Sequence, residues 1–461
     1  MTNNFSNWSS AFHHTKPIVA IGLLIVFAVL MLGWQRLMQN ETFFAKVRSL
    51  TEYAGLKSYT EADNEGSPIY PSYRPVDNDH LLSWDAAHYK EIAQSLYKDI
   101  WTGNFAFYPL FPMLWKVTGF SPRAISILNY LMFCIGIGIL VMLFAPRMAS
   151  WTTWTLLLLP CLTPYMIPYS ESLFFVCAAI GIYGLDKGHY WMYFIGFMMA
   201  SMTRAAGNIM GIAWVIVDII AWMYQKTTIR QMLTNMWRHL LPIAAGVALV
   251  LLFQHWRGAE HWFQYALAQQ EWGKSLDWPT LNWTDWSREG KSISWPLIYA
   301  FGLPMLVYLT MVLSNGLRGS QPKPFDTQDG ITVFCVLFLT GNILLAMLTQ
   351  HGCMYSQARL LTCTPFFVYL VLRLTTTDLP TWSRWGLTLI VAAVACRFLY
   401  MFSRTYLVGI WIFVFLSVLM LWGNRMHKVF RTIVLVLGIG INLLWQAQLF
   451  NIFLEESRLF I

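Results

Sequence analysis

Charge is scarce in this sequence. Of its 461 residues only 12% are Asp, Glu, Lys or Arg and 57% are hydrophobic, against roughly 25% and 45–50% in an average soluble chain. That excludes a soluble globular protein. Length alone would suggest about three soluble domains at ~150 residues each, yet no polar stretch is long enough to form one. Cysteine offers no framework either. Cys134, Cys161, Cys177, Cys335, Cys353, Cys363 and Cys396 lie nearly all inside apolar runs, with no CxxC and no His at ligand spacing. Neither a disulfide framework nor a zinc site is indicated, and the thiols read as core packing. The first apolar run is not followed by an A-x-A site, so it is expected to remain as an anchor rather than be removed as a signal peptide. The net charge of +8, from 31 basic and 23 acidic residues, does not point to nucleic acid. The basic residues sit at the ends of apolar runs, where they set membrane orientation.

What is present is hydrophobic length. Apolar runs recur from Pro17 to Phe453, and a transmembrane helix needs ~20 apolar residues. Spans are expected near 17–38, 124–145, 151–164, 168–185, 189–203, 206–224, 239–255, 294–314, 331–349, 359–375, 384–402, 405–422 and 430–450. The expected fold class is therefore an all-α polytopic membrane protein of about 11–13 helices, a single transmembrane domain over 1–461. The run 151–164, closed by Pro160 and Pro164, is a candidate for a re-entrant or broken segment. Alternate short connections carry Lys16, Arg147, Lys187, then Lys226, Arg230 and Arg238, then Arg318 and Lys323, Arg373 and Arg384, and last Arg425, Lys428 and Arg431. Those connections are assigned to the cytoplasm by the positive-inside rule. A first loop, 39–107, and a Trp-rich second loop, 256–293, then face outward with the C-terminal tail.

The first loop opens with Phe43, Phe44, Val47, Leu50, Ala54 and Leu56 near helical spacing, the pattern of an interfacial amphipathic helix or of a short helix packed on the bundle. Glu61, Asp63, Glu65, Asp77 and Asp79, broken by Pro68, Pro71 and Pro75, follow as solvated loop. Next comes Trp84-Asp85-Ala86-Ala87-His88-Tyr89. As a helix N-capped by Ser83 it places Asp85, His88 and Tyr89 on one face. A carboxylate, an imidazole and a phenol would then look the same way, beside lipid; an acid in a helix's first turn is also favoured simply by the macrodipole. Phe105-Ala106-Phe107-Tyr108-Pro109-Leu110-Phe111-Pro112 is an aromatic, proline-broken run, either the wall of a groove for an isoprenoid chain or an aromatic belt. The second loop's Trp256, Trp262, Trp272, Trp278, Trp283 and Trp286, with Trp295 just beyond, read first as headgroup anchors and second as platforms for sugar rings.

Four ionisable residues stand inside apolar runs, where a charge costs at least ~2.5–3.5 kcal/mol on insertion scales. They are Glu171, Arg204, Arg359 and Arg397, all near the outer ends of their spans. Arginines at that level suit a phosphodiester, and Glu171 suits an arginine or a sugar hydroxyl; the alternative is a structural Glu–Arg pair or snorkelling. Gln357 accompanies Arg359, and His351 and Tyr355 are weaker candidates.

Taken together, Trp84-Asp85-xx-His88-Tyr89 with Ile92-Ala93, Ala106-Phe107-Tyr108-Pro109-Leu110-Phe111-Pro112, Pro168-Tyr169-Ser170-Glu171-Ser172 and Thr203-Arg204-xx-Gly207 resemble the motifs of PIG-V-type mannosyltransferases. That family includes the enzyme adding the second mannose of GPI anchors, and bacterial relatives. The resemblance covers roughly residues 80–210 in the family's order and implies a GT-C fold with a large first extracytoplasmic loop. It implies Asp85 as the catalytic carboxylate, with Glu171 and Arg204 in the outer-face set. His88, Tyr89, Tyr108, Glu171, Arg204, Arg359 and Gln357 are the expected substrate-binding residues, and no metal ligand is expected. The expected reaction is inverting transfer of mannose from a polyprenyl-phosphate donor to a glycolipid or glycan acceptor. No cofactor is required beyond the lipid-phosphate donor, with a divalent metal left open. Asp85 is expected to face the guanidinium groups across a gap wide enough for a phosphosugar. The competing classes are a lipid-linked sugar flippase or other transporter, and an oligosaccharide ligase or polymerase. Outward triplets Asn40-Glu41-Thr42 and Asn282-Trp283-Thr284 are of the glycosylation type but common by chance. Arg458-Leu459-Phe460-Ile461 carries no organelle retention signal, so the expected location is a bacterial cytoplasmic membrane rather than the endoplasmic reticulum.

Overall fold

The computed structural model describes residues 4–53, 73–205, 207–225, 228–279, 302, 304–309, 326–349, 357–377, 379–398 and 404–455. These form helices and connecting turns, with no strand among the described residues. Among the described residues six helices are long and apolar enough to cross a bilayer: Lys16–Met38, Pro122–Phe144, Gly207–Gln225, Ile229–Trp256, Thr327–Thr349 and Lys428–Leu454. Pro365–Thr376 and Val408–Trp422 are shorter apolar helices. The chain is a polytopic membrane protein. The expected spans near 168–185 and 189–203 become Glu171–Asp186 and Tyr190–Ser201, of 16 and 12 residues. Gly196 lets these two antiparallel helices touch along their backbones, because a Cβ there would stand 2.5 Å from the Gly181 nitrogen. The expected span 294–314 lies almost wholly outside the described residues.

Two expected spans are interrupted for identifiable reasons. The run 359–375 divides into Gln357–Thr362 and Pro365–Thr376. Thr364 before the proline is extended (φ −130°, ψ 149°) and its hydroxyl caps the Phe367 amide. The run 151–164 breaks into Ser150–Thr155 and the 3-10 turns Leu156–Leu158 and Thr163–Met166. Irregular backbone at that depth needs internal partners. Asn442 donates to the carbonyls of Leu157 and Leu159, and Gln446 donates to Pro160 while accepting from the amides of Leu162 and Thr163. Asn129 does the same for the next stretch, donating to Ile167 and Tyr169 at 2.6 and 2.9 Å.

One end of the bundle gathers the residues assigned above to alternate connections. Lys16 donates to the carbonyls of Ala145 and Met148. Arg147 and Arg373 both donate to Gln328, which donates to Asp186.

The other end carries the first loop. It begins with the helix Glu41–Tyr53, packed through Phe43 on Trp34 and Phe44 on Tyr73. Of the expected amphipathic face, Ala54 and Leu56 lie outside the described residues, as do Glu61, Asp63 and Glu65. The chain re-enters where Tyr73 donates to Gln448, and where Asn451 accepts from both Gln35 and the Arg74 amide. Arg123 donates to the Val76 carbonyl at 2.7 Å. These bonds fasten the loop to the first and last long helices and to Pro122–Phe144, and deliver it to Asp85–Ser95.

Candidate active site

The helix Asp85–Ser95 starts one residue later than the sequence suggests. Trp84, not Ser83, is its N-cap, and the Ser83 hydroxyl donates to the His80 carbonyl instead. Trp84 holds φ 55° and ψ −132°, a conformation that costs of order 1–3 kcal/mol for a residue with a side chain. It turns the chain so that Asp85 leads the helix, where unpaired N–H groups favour a negative charge. Glu171 likewise leads Glu171–Asp186.

Those two acids meet the arginines. Arg359 Nη2 donates to Asp85 Oδ2 at 2.9 Å, and its Nε stands 3.3 Å from Glu171 Oε1. The same Glu171 oxygen is 3.2 Å from Arg204 Nη1. Asp85, Arg359, Glu171 and Arg204 thus form one continuous ion-pair chain, although the sequence separates Asp85 from Arg359 by 274 residues. Glu171 is 2% exposed, and the arginine side chains are 11 and 12% exposed. Asp85 retains 29% exposure, so it is the member open to solvent. The Arg359 guanidinium also lies 4.8 Å from the centre of the Tyr169 ring. Gly207 is needed where the chain turns after Arg204, since a Cβ there would sit 2.8 Å from that of Ser201.

The two acids and two arginines expected from sequence are therefore brought together, but without the expected gap. Asp85 and Arg359 touch directly, because a carboxylate and a guanidinium largely sheltered from water satisfy one another.

Tyr89 and His88 flank the acid in different ways. Tyr89 is buried between Phe107 and Phe111, and its hydroxyl is 2.8 Å from that of Ser170, next to Glu171. Burial first, then the neighbouring Glu171 and Asp85 charges, pushes its phenol above the ordinary value and keeps it neutral. Tyr89 therefore ties the first loop to the Glu171 segment. His88 stacks on Phe107 at 5.4 Å and meets Trp272 edge-on at 5.0 Å, with Trp101 5.9 Å away. Tyr108 is buried against Tyr265 at 5.6 Å, and no ion pair joins it to the Asp85 cluster among the described residues. Gln357 is the first residue of Gln357–Thr362, but its side chain lies outside the described residues, as does that of Arg397. His351 and Tyr355 lie outside them altogether.

The second loop closes over this end. After Ile229–Trp256 it turns through Gly258 into the helix Gln264–Glu271. Of its tryptophans, Trp256, Trp262 and Trp278 are exposed, while Trp272 is drawn inward. Its indole N–H donates to the Gly103 carbonyl at 2.9 Å. Trp283, Trp286 and Trp295 lie outside the described residues. Two positions after Trp272 stands Lys274, which did not stand out in the sequence. Burial lowers its pKa, with Asp85 opposing that shift and Arg359 and Arg204 reinforcing it, so Lys274 shares the electrostatic environment of the ion-pair chain. Its only signal in sequence was a lone cation two residues beyond a loop tryptophan.

No group of three or more His, Cys, Asp or Glu side chains able to hold a metal ion occurs among the described residues. The two site carboxylates are already held by guanidiniums. No protein-family model, no curated protein and no solved structure matches this chain.

Proposed function

We propose that the protein is an inverting glycosyltransferase of the GT-C type, related to the PIG-V-type mannosyltransferases. It would move mannose from a polyprenyl-phosphate donor to a glycolipid or glycan acceptor on the extracytoplasmic face, most simply of a bacterial cytoplasmic membrane. The observation that carries this reading is the ion-pair chain. Asp85, at the solvent-facing end of a network otherwise sheltered from water, stands where the first-loop helix meets the Glu171, Arg204 and Arg359 segments. Sugar nucleotides are mainly cytoplasmic, so a catalyst on the outer face draws on a lipid-borne donor.

In this mechanism Asp85 accepts the proton of the acceptor hydroxyl as that oxygen attacks the anomeric carbon. The carbon–oxygen bond to phosphate breaks on the opposite face, and the electron pair leaves with the lipid phosphate. One displacement inverts the centre, so a β-linked donor gives an α-linked product. Arg359 fixes one oxygen of Asp85, and Glu171 with Arg204 fixes Arg359. His88 and Trp272 offer ring surface beside the acid for a sugar.

A second reading, a lipid-linked sugar carrier, draws on one observation. At the other ends of these helices a cavity of about 360 Å³ is lined by Asp218, His239, Arg238 and Trp214, with His239 Nδ1 2.9 Å from Asp218. One experiment separates the two. Sealed proteoliposomes carrying the protein are given β-mannosyl phosphoryl polyprenol and a membrane lipid extract, and products are resolved by linkage. The transferase reading expects an α-linked mannolipid; movement of intact donor between leaflets with no new glycosidic bond overturns it.

A further inference from the structure

We propose that Lys274, and not Arg204 or Arg359, is the cation that binds the phosphate of the lipid donor. The inference rests on the transferase reading and assigns the arginines a different task within it. Both arginines already face carboxylates: Arg359 Nη2 donates to Asp85, its Nε lies 3.3 Å from Glu171 Oε1 without a hydrogen bond, and Arg204 Nη1 lies 3.2 Å from the same Glu171 oxygen. A phosphate placed between Arg359 and Asp85 has to break a 2.9 Å ion pair and would leave the Asp85 carboxylate facing another anion.

Lys274 carries no such commitment. Among the described residues its Nζ donates to a neutral amide oxygen, Gln269 Oε1, at 3.1 Å, and its own amide is fixed by the Gln269 carbonyl at 3.0 Å. The segment is held from both sides. Trp272 lies on His88, one helical turn from Asp85, and the amides of Ser275 and Asp277 donate to the carbonyls of Thr349 and Leu348, at the end of the helix that precedes Arg359. Lys274 is thereby held between the helix that supplies Asp85 and the end of Thr327–Thr349, the long helix that precedes the Arg359 helix.

Charge balance supports the assignment at both ends of the reaction. Glu171 and Asp85 against Arg204, Arg359 and Lys274 leave one positive charge, the complement of a phosphodiester. When Asp85 takes the acceptor proton the site gains a second positive charge, and the departing lipid phosphate becomes a monoester with two negative ones. The charges that act on Lys274 are those of Asp85, which favours its protonated form, and of Arg359 and Arg204, which oppose it. With burial lowering its pKa, its charge, and with it phosphate affinity, is lost as pH rises toward the ordinary lysine value.

The test measures binding without transfer. Full-length protein in nanodiscs is titrated with dodecyl phosphate and, separately, with inorganic phosphate, between pH 8 and about 10.5, where the phosphate is already dianionic. Loss of one charge-assisted contact is expected to weaken dodecyl phosphate binding in Lys274→Met by about tenfold or more. Lys274→Arg should restore it to within about threefold and abolish its decline at high pH, since guanidinium does not titrate there. Equal affinity for both probes would assign the site to free phosphate rather than lipid and overturn the donor assignment. Wild-type affinity in Lys274→Met, or an unchanged pH decline in Lys274→Arg, overturns the proposal. Should Lys274→Met fail to fold, Lys274→Gln is measured in its place. Binding that depends on Lys274 in a protein that transfers no sugar would refute the transferase reading and leave the phosphate site standing.

Discussion

Glu171 is the joint of the ion-pair chain, and its substitution gives the sharpest test of how that chain holds the fold. Glu171→Gln keeps the shape and removes the charge that two guanidiniums share at 3.2 and 3.3 Å. At an effective dielectric constant near 20, unit charges at that range attract by roughly 4–5 kcal/mol. Removing one partner of a buried pair costs about 3–5 kcal/mol, because the remaining charge stays desolvated. Arg359 keeps Asp85, and both arginines retain a little exposure, so the lower end of that range, about 3 kcal/mol, is expected. The assay is equilibrium unfolding in mixed micelles of SDS and a mild detergent, run as a double-mutant cycle with Arg204→Met. Once Glu171 is neutral, Arg204 has lost its partner, so the second substitution should cost less than in the wild type, with a coupling of about 1 kcal/mol or more. Additivity within ~0.5 kcal/mol, or wild-type stability in Glu171→Gln, would refute the reasoning.

Three further outcomes follow from the same structure. Gln446→Ala removes the donor to Pro160 and the acceptor for the Leu162 and Thr163 amides; it should cost about 2–4 kcal/mol in the same unfolding assay, as buried groups lose partners, and a change below ~0.5 would contradict the role given to that helix. Trp272→Ala removes the indole bond to Gly103 and the contact with His88, so limited proteolysis should cut within 257–279 faster than in the wild type; unchanged cutting would show that the loop is held by other means. Asp77 is kept below the ordinary carboxylate value chiefly by the His80 amide, so its stabilisation is present above an unfolded pKa of ~3.9 and disappears as pH falls through its lower folded value. The stability gap between wild type and Asp77→Ala should therefore narrow from pH 6 to pH 3, and a constant gap would contradict it.

Legibility in the sequence tracked how far each residue departs from its surroundings. Glu171, Arg204 and Arg359 stand in apolar runs where a charge is expensive, so the sequence exposed them and the structure joins them. Asp85 was marked by sharing a helical face with His88 and Tyr89, and all three make contacts at that end of the bundle. What a side chain does locally was harder to see: Ser83 has the right chemistry for a cap, yet the backbone turn at Trp84 displaces it by one position. The broken segment 151–164 was suggested by Pro160 and Pro164, but its partners Asn442 and Gln446 lie more than 280 residues away. Lys274 was invisible for the same reason. A loop lysine costs nothing in water, and only the docking of Trp272 on His88 gives it a place beside the acid.

The most direct measurement of the central claim is transfer by Asp85→Asn beside the wild type, each purified at matched abundance and supplied with radiolabelled polyprenyl-phosphate mannose and acceptor lipid. The account predicts transfer by the wild type and a fall of about 10²–10⁴-fold in the variant, with its helical content unchanged. Asp85→Asn that transfers mannose at the wild-type rate would contradict it.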